Sequence, residues 1–262
     1  MKHFLRFLTA VLPLLTAILI QYIVINCLIF FTSGELSDQV FYLYSALAIL
    51  VCGIVFFFWY RKESEGEPRG SFKNLAKPKN LIYLAILGIS SQFFFSGILS
   101  LLTPFFIKIF TQYADVVENL TSGNEIVVLL LVLFVAPVTE ELIFRGVILH
   151  MANRYITFLG ANILQAVLFG IYHGNIVQGF YASLLGFLLG VIYYKYKTIF
   201  ASIFLHMVIN GSSFLTYYLP DYTIYYFIVM IVGGLLFAAM LLLIQPTRRF
   251  SGITVTEDDL SD

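Results

Sequence analysis

The sequence predicts an all-α, polytopic membrane protein of about eight transmembrane helices, and three observations predict it. Of 262 residues, 60% are hydrophobic and only 11% are charged, with a mean hydropathy of +0.91. A soluble domain carries about 25% charged residues, so this chain cannot cover a globule of its size with solvated surface. The apolar residues fall into long runs, and the basic residues fall between alternate runs. Net charge is zero, without the basic excess that nucleic-acid binding needs. A water-soluble enzyme, a disordered chain and a nucleic-acid partner are thereby excluded.

A helix needs roughly 20 apolar residues to cross a ~30 Å hydrocarbon core. Eight stretches come close, at about Leu8–Phe31, Phe41–Tyr60, Leu81–Thr103, Glu125–His150, Ala161–Asn175, Ile176–Tyr194, Thr198–Tyr218 and Tyr222–Ile244. The first follows Lys2 and Arg6 as a signal peptide would. Its apolar run exceeds the roughly 7–15 residues of a signal core and no small-x-small site follows, so it reads as an uncleaved span. The fifth is short, and only the polar patch His173-Gly174-Asn175 divides it from the sixth. Between the third and fourth, Phe105–Asn124 has apolar residues at 105, 106, 109, 110, 113, 116, 117 and 120. That helical period predicts an interfacial helix lying flat on the outer face. Arg61–Asn80 mixes charges with Gly66, Pro68, Gly70 and Pro78 and reads as a flexible cytoplasmic loop, and Ser251–Asp262 reads as a disordered acidic tail. No repeat divides the chain, so residues 1–262 read as one integral membrane domain. Cys27 and Cys52 lie in apolar runs and indicate no disulfide framework.

The bases test this layout. Lys2 and Arg6 precede span one, and Arg61, Lys62, Arg69, Lys73, Lys77 and Lys79 lie between spans two and three. Arg154 follows span four, Lys195 and Lys197 follow span six, and Arg248 and Arg249 follow span eight. Thirteen of the fifteen bases therefore share one face. The opposite loops hold Glu35, Asp38, Asp115, Glu118 and Asp221, with Lys108 as their one base. The positive-inside rule then puts both termini in the cytoplasm, and in a bacterium the membrane would be the plasma membrane. Arg145 is left over, inside span four.

Ionisable residues within spans are functional candidates by default. Span four carries Glu140, Glu141 and Arg145, the fifth ends Phe169-Gly-Ile-Tyr-His173, and span seven contains His206-Met-Val-Ile-Asn210. Glu141 and Arg145 are four apart and share a helix face, so they can pair and keep both charges ionised. Glu140 is rotated by about 100° from Glu141, with His173 and His206 on other helices as its available partners. His206 and Asn210 share a face, and Phe169 walls the face of His173. Counting about 1.5 Å per residue puts Glu140, His173, His206 and Asn210 at roughly 12–20 Å from the cytoplasmic ends. A carboxylate, two imidazoles and an amide suit amide-bond hydrolysis, with a general base on water and donors for the oxyanion. Glu140, His173 and His206 are equally a zinc ligand set used by metallohydrolases.

The blocks Glu140-Glu141-x-x-x-Arg145, Phe169-x-x-x-His173 and His206-x-x-x-Asn210, in this order on separate predicted helices, resemble the CPBP (Abi) family of intramembrane proteases. That family includes type II CAAX prenyl endopeptidases and bacterial bacteriocin-processing and immunity proteins. The resemblance covers roughly residues 125–215, which it marks as the catalytic core. It implies a central intramembrane cavity between helices. Glu140 and His173 would activate water, His206 and Asn210 would stabilise the oxyanion, and Glu141 and Arg145 would support the site. Some descriptions of the family are metal-dependent, so the implied cofactor is either none or a divalent metal such as zinc. The implied substrate is a membrane-associated protein or peptide, of CAAX or leader-peptide type, met in the lipid bilayer.

Competing readings are weaker. The alternative to an endopeptidase is a non-catalytic immunity or scaffold protein that retains the motifs. A transporter would call for matching broken helices in two halves, which are not seen. There is no His-Glu-x-x-His zinc motif, and every aspartate lies in a loop or tail, which excludes an aspartyl mechanism. His3 and His150 fall outside the pattern and read as interfacial or structural.

Overall fold

The computed structural model describes residues 2–32, 38–65, 72–121, 124–216 and 222–243. Every described element is helical. In chain order they are α1 (Lys2–Thr32), α2 (Asp38–Glu63), the short α3 (Phe72–Leu75), α4 (Pro78–Leu102), α5 (Ile107–Thr121), α6 (Glu125–Asn153), α7 (Phe158–Tyr172), α8 (Ile176–Tyr196), α9 (Ile199–Thr216) and α10 (Thr223–Leu243). This is an all-α, multi-pass membrane protein.

Each expected span has its helix, but not all eight are full-length crossings. Six helices are long and apolar enough to cross a membrane, while α7 and the apolar part of α9 (Ile199–Leu215) are shorter. At about 1.5 Å per residue, the 15 residues of α7 reach about 22 Å, short of a ~30 Å core. Local chemistry sets those ends. The Thr157 side chain accepts from Gly160 N–H at the start of α7, and Gly174, with φ +67°, turns the chain at its end. Asn175 then caps α8 by accepting from Val177 and Gln178 N–H. His173 thus sits at a helix terminus within the bundle.

Two readings of the connecting segments are refined. The expected loop Arg61–Asn80 is partly helical, because α2 runs on to Glu63 and α3 buries Leu75. The amphipathic stretch after α4 forms α5 as its periodicity predicts, after a tight turn at Thr103–Phe105. The Tyr113 and Tyr181 hydroxyls, 3.2 Å apart, join α5 to α8. The expected tail Ser251–Asp262 lies outside the described residues, as do Glu35, Arg69, Asp221, Arg248 and Arg249.

The long α6 is the buried centre, packed against α1, α2, α7 and α9. Residues 141–150 are all buried, with Ile143, Phe144, Val147 and Ile148 in the main apolar cluster alongside Phe56 of α2 and Leu14 of α1. By contrast α1 and α10 expose rows of large apolar side chains, such as Leu15, Leu19, Leu235 and Leu242. In lipid such faces need no cover, and association depends on close packing of small residues. Gly97 and Gly233 serve this at the α4–α10 contact. A Cβ at Gly97 would stand 2.8 Å from Met230 Cα, and one at Gly233 2.8 Å from Phe94 N.

Charged and aromatic side chains gather the ends of alternate helices. Arg154, just past α6, pairs with Glu63 at the end of α2. His150 of α6 meets Tyr193 Oη of α8 at 3.1 Å, and Lys195 Nζ lies 5.2 Å above the Tyr83 ring of α4. The ends at which the sequence clusters its bases therefore meet on one side of the bundle.

Candidate active site

The centre of the site lies where α6 leaves regular α geometry. Within α6, Leu131–Val135 and Leu142–Ile148 are π-helical, a wider winding that recurs at functional sites. Glu140 and Glu141 sit on the α-helical turn between them. The Thr139 hydroxyl donates to Ile49 O of α2 at 3.2 Å. Gly53 leaves room for this contact, since a Cβ there would strike the Thr139 side chain.

Glu141 is the hub. Its Oε1 accepts from Arg145 Nη1 at 3.0 Å and from His206 Nδ1 at 2.9 Å. Glu141 and Arg145 are fully buried, and His206 is 5% exposed. A carboxylate oxygen accepts, so Nδ1 of His206 carries the proton and Nε2 is turned towards Glu140. Nε2 lies 3.6 Å from Glu140 Oε2, too long for a direct hydrogen bond. The expected Glu141–Arg145 pair is present, and Glu140 finds a neighbour on another helix. The Glu141–His206 bond is what spacing along the chain did not reveal.

Phe169 is the wedge between the remaining parts. Its ring lies 4.7 Å from Arg145 Cζ, 4.7 Å from the His173 ring and 5.8 Å from the His206 ring, edge-on to both imidazoles. A buried cation over an aromatic face gains roughly 2 kcal/mol, which helps hold an arginine in the bundle. His173 Nδ1 donates to Phe169 O at 2.7 Å, leaving its Nε2 unprotonated in the neutral ring. Among the described residues no hydrogen bond joins His173 to Glu140. Asn210 Nδ2 donates to Val132 O of α6 at 2.9 Å.

A second polar layer went unforeseen. Arg145 Nη2 donates to Gly186 O at 2.8 Å, and Gln165 Nε2 donates to the same carbonyl at 3.0 Å and to Asn162 Oδ1 at 2.7 Å. Asn162 Nδ2 donates to Phe187 O at 3.0 Å. Asn162 and Gln165 are fully buried in an apolar helix, and that polarity in a span was the available signal. Gly186 lets Arg145 approach, since a Cβ there would lie 3.3 Å from Nη2. His150, which the sequence reads as interfacial or structural, is buried with Nδ1 3.0 Å from Arg145 O. The His3 side chain lies outside the described residues.

The arrangement was also weighed against a metal. Among the described residues no three His, Cys, Asp or Glu side chains gather as a metal-holding group. Glu140 and His206 approach to 3.6 Å, and His173 and His206 both face the Phe169 ring. Each histidine spends Nδ1 on a hydrogen bond, which leaves Nε2 as the ring atom turned away from it.

Residues 122–212 match the family model described as type II CAAX prenyl endopeptidase Rce1-like. The chain carries an Rce1-like segment. It contains all six candidate residues and runs from the start of α6 into α9. A curated protein of Bacillus subtilis (strain 168), "Putative membrane peptidase YdiL", is 32% identical over 76 residues. That match covers 29% of this chain and 31% of YdiL. No solved structure matches. The Rce1-like segment coincides with the buried helix and its hydrogen-bonded neighbours, while α1 to α5 and α10 lie outside it.

Proposed function

We propose that this protein is an intramembrane endopeptidase that hydrolyses a peptide bond in a membrane-associated substrate, with residues 125–215 as its catalytic core. The observation that carries the reading is the Glu141 hub. One buried carboxylate oxygen holds Arg145 and His206 together, and His206 in turn faces Glu140. Two of the three motif blocks meet there, and the third packs its Phe169 ring against Arg145 and His206. Such desolvation of charge is costly unless it serves a purpose.

In the proposed reaction Glu140, 13% exposed, takes a proton from water as its oxygen attacks the scissile carbonyl carbon. His173 orients that water through its unprotonated Nε2. The oxyanion accepts from Asn210 and from His206, whose Nε2 takes up the proton that Glu140 drew from water and hands it back on collapse. Collapse breaks the C–N bond, and the proton held by Glu140 passes to the leaving amine. Glu141 and Arg145 act by fixing His206. The substrate is of CAAX or leader-peptide type, and both termini face the cytoplasm.

Glu140→Gln tests this directly. The purified variant should fold with normal yield yet cleave a panel of farnesylated CAAX-type and unprenylated leader peptides about 10²–10⁴-fold more slowly. Undiminished cleavage would exclude Glu140 as the base. Elemental analysis of the same active preparation reports whether a metal accompanies activity.

A further inference from the structure

Pro137 belongs to none of the three motif blocks, yet it shapes the backbone beside them. We propose that Pro137 is a positioning residue for Asn210: by withholding an N–H, it leaves the Val132 carbonyl open to the Asn210 amide. This rests on the reading of Asn210 as an oxyanion donor.

In an unbroken α-helix Val132 O would accept from the N–H four residues on, that of Ala136. Here the π-turn gives the Ala136 N–H to Leu131 O instead. In that wider register the next donor, five residues on, would be Pro137, which has no N–H. Val132 O thus loses both of its backbone donors inside an apolar span, where an unsatisfied carbonyl is costly. Asn210, 78 residues away in sequence, fills the gap with its Nδ2 at 2.9 Å. Pro137 is itself buried.

The latch has a chemical consequence. A carbonyl can bind only the NH₂ end of an amide, so Val132 O decides which way the Asn210 head is turned. One N–H is spent on the latch, and the other remains for the substrate. An asparagine free to flip would present its oxygen to an oxyanion half the time.

Pro137→Ala restores an N–H that can satisfy Val132 O within α6, in competition with Asn210. The first readout is independent of activity. In protein labelled with ¹⁵N-asparagine, the Asn210 side-chain amide signal is identified by its loss in Asn210→Ala. In Pro137→Ala its bonded proton should move upfield. Kinetics on any panel peptide cleaved by the wild-type protein give the second readout. Pro137→Ala should lower kcat by about 10- to 100-fold with KM within about twofold, and add less than about twofold in an Asn210→Ala background. Because the change removes a helix-interior proline, the unfolding temperature in detergent should hold or rise. Pro137→Ser supplies the same N–H as a second variant. An unshifted amide signal overturns the proposal, as does an equal loss of kcat in both backgrounds or loss of folded protein in both variants. If Asn210→Ala keeps full kcat while the amide signal shifts, the latch stands and the oxyanion role of Asn210 falls.

Discussion

Glu141 shows how one side chain joins three elements of chemistry. It is fully buried, and its Oε1 accepts one hydrogen bond from a guanidinium and one from an imidazole. Removing its charge strands the fully buried Arg145 without its carboxylate. Glu141→Gln should therefore lower stability by about 3–5 kcal/mol, read by thermal or denaturant unfolding in detergent. Adding Arg145→Met should recover part of that loss, since the double change leaves no orphan charge. If the two losses simply add, the pair is not coupled as the geometry indicates. The i, i+4 spacing made this pair legible in the sequence. His206 as its third member was not, because nothing in one helix reports which side chains a distant helix presents. Phe169 was legible as a wall for His173, but its contact with Arg145 depends on how α7 leans on α6.

Among the elements, α6 and α7 depart most from ideal spans, and both departures fall at the candidate residues. The π-segments of α6 flank Glu140 and Glu141, and the early stop of α7 leaves His173 at a helix end. The stop is encoded locally by Gly174 at φ +67° and by the Asn175 cap. Asn175→Ala should cost about 1 kcal/mol and lower activity by loosening the His173 turn, measured by unfolding together with peptide cleavage. The π-segments were not legible, since hydropathy has the same appearance in α and π windings. Close packing of α4 on α10 offers a second test. Gly233→Leu places a side chain against the Phe94 backbone, and overpacking of this kind costs about 1–3 kcal/mol. Fluorescence unfolding should show that loss, while Leu235→Ala on the exposed lipid face should cost less.

Across the whole molecule, charge is sorted by place. The ends of α2, α4, α6 and α8 meet through Glu63–Arg154, His150–Tyr193 and Lys195–Tyr83, which gathers the basic segments on one side. In the proposed orientation that side is cytoplasmic, as the positive-inside rule predicts. A single cysteine at Lys108, in a chain with Cys27 and Cys52 replaced by serine and alanine, should react with a membrane-impermeant maleimide added outside intact cells. A cysteine at Lys62 should react only after permeabilisation. The reverse pattern would invert the topology.

Composition, run length and the placement of bases determined by themselves that this is a helical membrane protein, and which six side chains are its chemical candidates. They could do so because hydrocarbon excludes charge, so an ionisable residue left in a span stands out against its neighbours, whereas the neutral amides of Asn162 and Gln165 passed unnoticed. Only the tertiary structure decided that Glu141 bridges Arg145 and His206, that Asn162 and Gln165 back the arginine through Gly186, and that Asn210 grips Val132. Those pairings depend on the rotation, depth and local winding of separate helices. One helix's sequence carries its own period, and it carries no record of the face its neighbour turns towards it.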